Sequence, residues 1–144
     1  MPFLKTASLF THFKKISFLQ ISIGIVYLWF GSLKFFSHAS PAEEMAKDTI
    51  GVLSMGLIPR ETSIILLAIL EVGIGFFLLF DIYRKQTVMV TLGHMVCTFT
   101  SLLLLSEISF TSSPFAPTLL GQYVIKNLII VAALLSIYQN TKKV

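Results

Sequence analysis

The stretch "SIILLAILEVGIGFFLLF", residues 63–80, reads as a helix made for hydrocarbon with one acid, Glu71, in its middle. Its length is close to the ~20 apolar residues that a helix needs to cross ~30 Å of lipid. The apolar run extends over about 62–82, and residues 16–37, 86–106 and 119–138 have the same character. The composition of the whole chain agrees. Its 144 residues are 55% hydrophobic with a mean hydropathy of +0.84, and 12% are charged, where soluble domains carry about a quarter. The expectation is an all-α, integral membrane four-helix bundle forming a single domain over residues 1–144.

The first stretch invites comparison with a secretory signal, because a basic start, an apolar run and "HAS" precede Pro41. That run is longer than a signal core, contains Lys34, and would be cleaved directly before a proline, so a retained span is the better reading. The cations set the orientation. Lys5, Lys14, Lys15, Arg84, Lys85, Lys142 and Lys143 fall on one side of a four-span zigzag, and only Lys47 and Arg60 fall on the other. Short basic loops stay in the cytoplasm, so both termini are expected inside a bacterial inner membrane. The net charge of +4 follows from this topology, and no aromatic-interleaved basic surface argues for nucleic acid.

Between the spans, residues 3–15 suggest an interfacial cytoplasmic helix, with Phe3, Ala7, Phe10 and Phe13 on one face. In "SPAEEMAKDTIG", Ser40 suits an N-cap, Pro41 the first helical position and Glu43 the third, as in a capping box. Ala42, Met45, Ala46, Thr49, Ile50 and Leu53 then recur at helical spacing opposite Glu43, Glu44, Lys47 and Asp48. These features predict a short amphipathic helix on the outer face, ended by Gly51 and Gly56, with Pro59 opening the next span. Such a helix either lids a cavity or packs at the interface. "DIYRKQ" predicts a tight helical hairpin, and "SEISFTSSPFAPTLLGQ" an irregular outer loop.

The polar residues within the spans are the candidates for function. Glu71 lies about nine residues into its helix, near the middle of the bilayer at ~1.5 Å per residue. An isolated charge there costs about 3 kcal/mol, so Glu71 must pair, protonate or face a wet cavity. Lys126 lies at a matching depth and is the expected partner, with Gln122 one turn away on the same face. Thr87, Thr91, His94, Cys97 or Thr98, and Ser101 form one polar stripe, expected to point inward and to make interhelical hydrogen bonds. Lys34 lies near the outer surface, where it either snorkels or lines the mouth of the same cavity; Tyr27 and Phe30 share its face. Gly24, Gly31, Gly73 and Gly75 permit close helix approach. Trp29 and Tyr27 are available to an aromatic ligand, with membrane packing as the simpler reading. The expected constellation is therefore Glu71, Lys126 and His94, opening outward past Gln122 and Lys34, and it is either a site or a structural polar core.

Four segments resemble the DoxX-like family of small bacterial membrane proteins over residues 22–137: "VYLWFGSLKFF", "LAILEVGIGFFLLF", "TFTSLLLLSEISF" and "PTLLGQYVIKNLIIVAALL". The branch that includes the inner-membrane protein of the reactive-chlorine resistance system carries W-x-G-x-x-K-F and G-Q-[FY]-x-x-K elements. The matching positions here are Trp29, Gly31, Lys34 and Phe35, then Gly121, Gln122, Tyr123 and Lys126. The resemblance implies a four-helix membrane bundle and redox-linked work. Better-known relatives include small membrane subunits of a thiosulfate:quinone oxidoreductase and a membrane partner of secreted antioxidant enzymes. The family has no single activity, so the motifs specify fold better than reaction.

Three functions follow as expectations. The first is an accessory or subunit of a membrane redox or oxidative-stress system, contacting quinone or anchoring other membrane or periplasmic redox subunits. Quinone carbonyls accept from donors such as His94, Lys126 or Gln122 in an apolar cleft, with Glu71 available to exchange the proton and Tyr123 a further ligand candidate. The chain supplies no metal or redox centre of its own: His94 is the one histidine within a span and Cys97 the one cysteine, which excludes a bis-histidine haem and an iron–sulfur ligand set. The second is transport of a small solute or proton, for which four spans without an evident broken helix are few unless the protein forms a homo-oligomer. The third is a non-catalytic scaffold within a larger complex.

Overall fold

The computed structural model describes residues 17–36, 38–111 and 115–141, so the expected helix over residues 3–15 lies outside the described residues. The architecture is all-helical. α1 (Phe18–Leu33) leads through a turn to the short α2 (Glu43–Leu53), and α3 (Arg60–Leu79) and α4 (Arg84–Leu104) form a hairpin. A single helical turn, α5 (Ser106–Ser109), precedes α6 (Leu119–Lys126) and α7 (Leu128–Thr141). Three segments are long and apolar enough to cross a membrane: α3, α4 and the combined α6–α7.

α1 is shorter than the span predicted over 16–37. Ser17 caps its first turn, accepting from the Leu19 amide. At its end the amides of Lys34, Phe35 and Phe36 bond to carbonyls three residues back, so the apolar run closes in tightened turns. Pro59 stands where α3 begins, as expected. In the hairpin, Asp81 and Tyr83 take left-handed backbone angles, and the Ile82 amide bonds to the Phe77 carbonyl in the manner of a Schellman cap. Gly56, also left-handed, bonds back to the Gly51 carbonyl and ends α2; Gly51 itself lies inside the last turn.

The predicted capping box is displaced. Ala42 is the N-cap and Ser40 and Pro41 form a turn before it, while the Glu43 carboxylate accepts from the His38 amide instead of the Ser40 amide. The last apolar stretch runs as one 23-residue helix over Leu119–Thr141 with a local tightening at Asn127, whose amide bonds to the Val124 carbonyl three residues back while its own carbonyl accepts from the Val131 amide.

α1 and α3 are the most intimate pair. A Cβ on Gly75 would stand 2.6 Å from the Leu28 amide and 2.8 Å from the Gly24 carbonyl, and one on Gly31 would meet Glu71 Cβ at 2.9 Å. The absent side chains are what let the two backbones touch. Gly73, grouped with them from sequence, meets nothing within 4 Å. Ile23, Tyr27, Ile74, Leu78, Val88, Met95, Leu134 and Ile137 make the core where α1, α3, α4 and α7 converge. Outside it, large apolar side chains such as Phe18, Trp29, Leu103 and Ile129 are exposed around the periphery, which suits contact with lipid.

Candidate functional site

At the other end of the bundle the helices part, leaving a cavity of about 310 Å³ between α1, α2, α3, α4 and the α6–α7 segment. Its walls are mostly apolar, from Val26 and Phe30 on α1, Met45 and Ile50 on α2, Leu67 on α3 and Val124 and Ile130 on the α6–α7 segment. The predicted apolar face of α2 forms the roof: Ala42, Met45, Ala46, Thr49, Ile50 and Leu53 all line the cavity. Of the two uses foreseen for that helix, the cavity-covering one matches the geometry.

The polar face of α2 is held down by ion pairs. Lys47, almost fully buried, has its ammonium 2.9 Å from Glu43, 3.0 Å from Glu61 at the start of α3, and 3.5 Å from Glu44. Arg60 bonds to Glu44 at 2.8 Å and to Asp48. These contacts lower the Glu43 carboxyl below its ordinary range, chiefly through the hydrogen bond from Lys47, and raise Lys47 through its bonds to Glu43 and Glu61.

Glu71 lies on the cavity wall, and its partner is Lys34. The Lys34 ammonium is 2.6 Å from Glu71 Oε2, with both side chains about nine-tenths buried. His94 Nε2 is 3.4 Å from the other carboxylate oxygen, and the Tyr27 hydroxyl is 3.0 Å from His94 Nδ1, the two rings meeting edge-on at 5.6 Å. The hydrogen bonding is self-consistent. A carboxylate only accepts, so the imidazole nitrogen facing Glu71 carries a proton, and in a neutral imidazole Nδ1 is then left to accept from the Tyr27 hydroxyl. In that form one ammonium, one carboxylate, one imidazole and one phenol make a chain without net charge, and Lys34 uses one of its three N–H groups on Glu71.

The expected Glu71–Lys126 pair is not formed. α3 packs on α1, α2 and α4, whereas α6 packs on α4, α5 and α7, so Lys126 faces Glu71 across the cavity instead of meeting it. The Lys126 ammonium instead lies 6.0 Å from the Tyr123 ring centroid, one turn nearer the outer end. Tyr123 lines the cavity as well, but Gln122 is exposed and donates to the Pro117 carbonyl at 3.3 Å. Trp29 lies elsewhere, 67% exposed on the outer side of α1 beside Ile25 and Ser32. In "WFGSLKF" Gly31 and Lys34 are three apart on one helix face, and the structure shows α3 touching that face at Gly31; the sequence marks a face open to close approach but not which helix approaches it.

The stripe on α4 does point inward: Thr87, Thr91 and Ser101 are buried, and His94, Cys97, Thr98 and Ser101 line the cavity. Its hydroxyls do not bond across helices. Thr91, Thr98 and Ser101 donate to carbonyls one turn back on α4, and Thr87 to Ile82. This is the local satisfaction open to Ser and Thr in an apolar setting. Sequence reasoning also passed over Gln20, which is fully buried and donates to the Leu78 carbonyl at 2.8 Å and to Asp81 at 2.9 Å. Asp81 in turn holds Arg84, so Gln20 ties α1 to the hairpin at the end remote from the cavity.

Among the described residues no group of three or more His, Cys, Asp or Glu could hold a metal ion. No protein-family model, curated protein or solved structure matches this chain.

Proposed function

We propose that this chain is a four-span, DoxX-like protein of the bacterial inner membrane, with both termini in the cytoplasm. In this reading it serves a membrane redox or oxidative-stress system as an accessory component and holds a quinone-class molecule in the cavity. The observation that carries the reading is the cavity itself: apolar walls of small-molecule size around the Lys34–Glu71–His94–Tyr27 chain. A quinone ring suits the space between Phe30, Met45 and Leu67. Its carbonyl oxygens need donors, and two N–H groups of the Lys34 ammonium remain after the bond to Glu71. Glu71 and His94, joined to Tyr27, are placed to take up or release the proton that accompanies quinone reduction. Electrons come from a partner, since the one cysteine leaves the chain no dithiol.

The test is mild extraction of the native protein and mass spectrometry of bound quinone, comparing wild type with Glu71→Gln and Lys34→Met. Loss of quinone from folded variants supports the reading, and retention at the wild-type level overturns it. One observation favours a second reading, in which the protein is a non-catalytic scaffold: the four-residue chain satisfies its own hydrogen bonds, as a purely structural core would. In that case the variants unfold or weaken the bundle and no quinone is found with wild type.

A further inference from the structure

Across the cavity from the neutral four-residue chain stand three polar groups of a different kind. Lys126, Tyr123 and Asn127 all line the cavity, and none makes an ion pair or side-chain hydrogen bond with the described residues. Lys126 is exposed and Tyr123 is 41% exposed, so both stand at the edge of an opening. The opposite edge is α1, where Val26 and Phe30 line the cavity and remain 39% and 40% exposed. α1 rests on α3 and on α7, with no comparable packing against α6, so the cavity opens sideways between α1 and α6 beneath the α2 roof. In a membrane that opening faces lipid.

We propose that a phospholipid occupies this lateral opening, its phosphate bound by Lys126 with Tyr123 and Asn127, and an acyl chain lying against Val26, Phe30 and Ile130. The inference rests on the membrane-spanning reading above and is separate from the quinone it places deeper in. Charge complementarity carries it. Glu71 is already paired with Lys34, so among the described residues Lys126 leaves this side of the cavity with an uncompensated positive charge. About seven residues, or ~10 Å, below the start of α6, a bare ammonium is costly. Its side chain turns outward over Tyr123, toward the depth of lipid phosphates, as a snorkelling lysine does. The Tyr123 hydroxyl and the Asn127 carboxamide, which line the same side of the cavity, add two neutral donors.

The experiment is native mass spectrometry of the full chain, titrated in detergent with phosphatidylglycerol, and separately with inorganic phosphate as the free-anion probe. Wild type and Lys126→Arg are expected to retain one phosphatidylglycerol. Lys126→Met should weaken retention roughly tenfold, the scale of one charge-assisted hydrogen bond. Inorganic phosphate at equal concentration should not displace the lipid. Equal retention by Lys126→Met overturns the proposal, and so does displacement by inorganic phosphate, which would mark a free-anion site. Quinone is measured in the same samples. If Lys126→Met loses quinone along with lipid, Lys126 belongs to the deeper ligand and the proposal fails. If no sample holds quinone while the lipid behaves as expected, the quinone reading fails and the lipid site stands.

Discussion

At the scale of single residues, the decisive fact is which lysine meets Glu71. Removing one member of a buried ion pair strands the other, so Lys34→Met is expected to destabilise the bundle by about 3 kcal/mol or more. Lys126→Met should cost less than about 1 kcal/mol, since Lys126 forms no ion pair among the described residues and only a cation–ring contact with Tyr123. The double variant Lys34→Met/Glu71→Met should recover most of the loss, and denaturing-detergent titration of the cycle measures the coupling. A cost at Lys126 equal to that at Lys34 would sink this assignment. Tyr27→Phe tests the next link, because it removes the only O–H that reaches His94 Nδ1 among the described residues. It should cost about 1 kcal/mol and leave the His94 tautomer less strongly set, which nitrogen chemical shifts of the imidazole report. The candidates Glu71, His94 and Lys34 could be picked out from sequence because ionisable groups stand out in apolar helices. Their pairing could not, because depth along two helices says nothing about which faces meet.

At the scale of elements, close packing and electrostatic restraint do different work. Gly75→Leu would drive a side chain into the Leu28 amide and the Gly24 carbonyl, and a loss of about 3 kcal/mol or more is expected from the separation of α1 and α3. Gly73→Ala, which meets nothing, should be neutral or stabilising by up to about 1 kcal/mol. Unfolding of the pair in one detergent checks both, and equal effects would refute the helix contact described. The α2 roof has a pH signature of its own. Glu43 is held below its ordinary value of 4.5, so its contribution is present above that pH and disappears as pH falls through the lowered value. Lys47 is held above its ordinary 10.5, so its contribution persists below that pH and disappears only as pH rises through the raised value. α2 should therefore stay docked from about pH 5 to pH 10 and loosen in stronger acid, as hydrogen exchange of its amides would show. Loosening already at neutral pH would contradict the clamp. The amphipathic pattern of α2 was legible in its sequence, but the burial of Glu43 and Lys47 was not, since Glu61 and Arg60 come from the next helix.

For the whole molecule, the arrangement is a bundle closed at one end by Gln20, the apolar core and the hairpin, and opened at the other around a roofed cavity. Cys97 is a built-in reporter of that design, being exposed, lining the cavity and the chain's one cysteine. In intact vesicles a membrane-permeant maleimide is expected to label it fully, while a charged, impermeant maleimide leaves it unlabelled; mass spectrometry of the protein reads both. Rapid labelling by the charged reagent would place Cys97 in contact with bulk water and argue against lipid around this face.

The sequence by itself determined the helical class, the lengths of the three later apolar stretches, the hairpin turn, the inward stripe on α4 and the short amphipathic helix, because each depends on composition and periodicity within one segment. Only the tertiary structure decided that Lys34 takes Glu71, that Lys126 forms no ion pair among the described residues across the cavity, and that Trp29 turns outward. The physical reason is that ion pairing and close approach depend on rotation about each helix axis and on which neighbours touch. Small changes in those angles, set here by Gly24, Gly31 and Gly75, bring one lysine to the acid and leave the other across the gap.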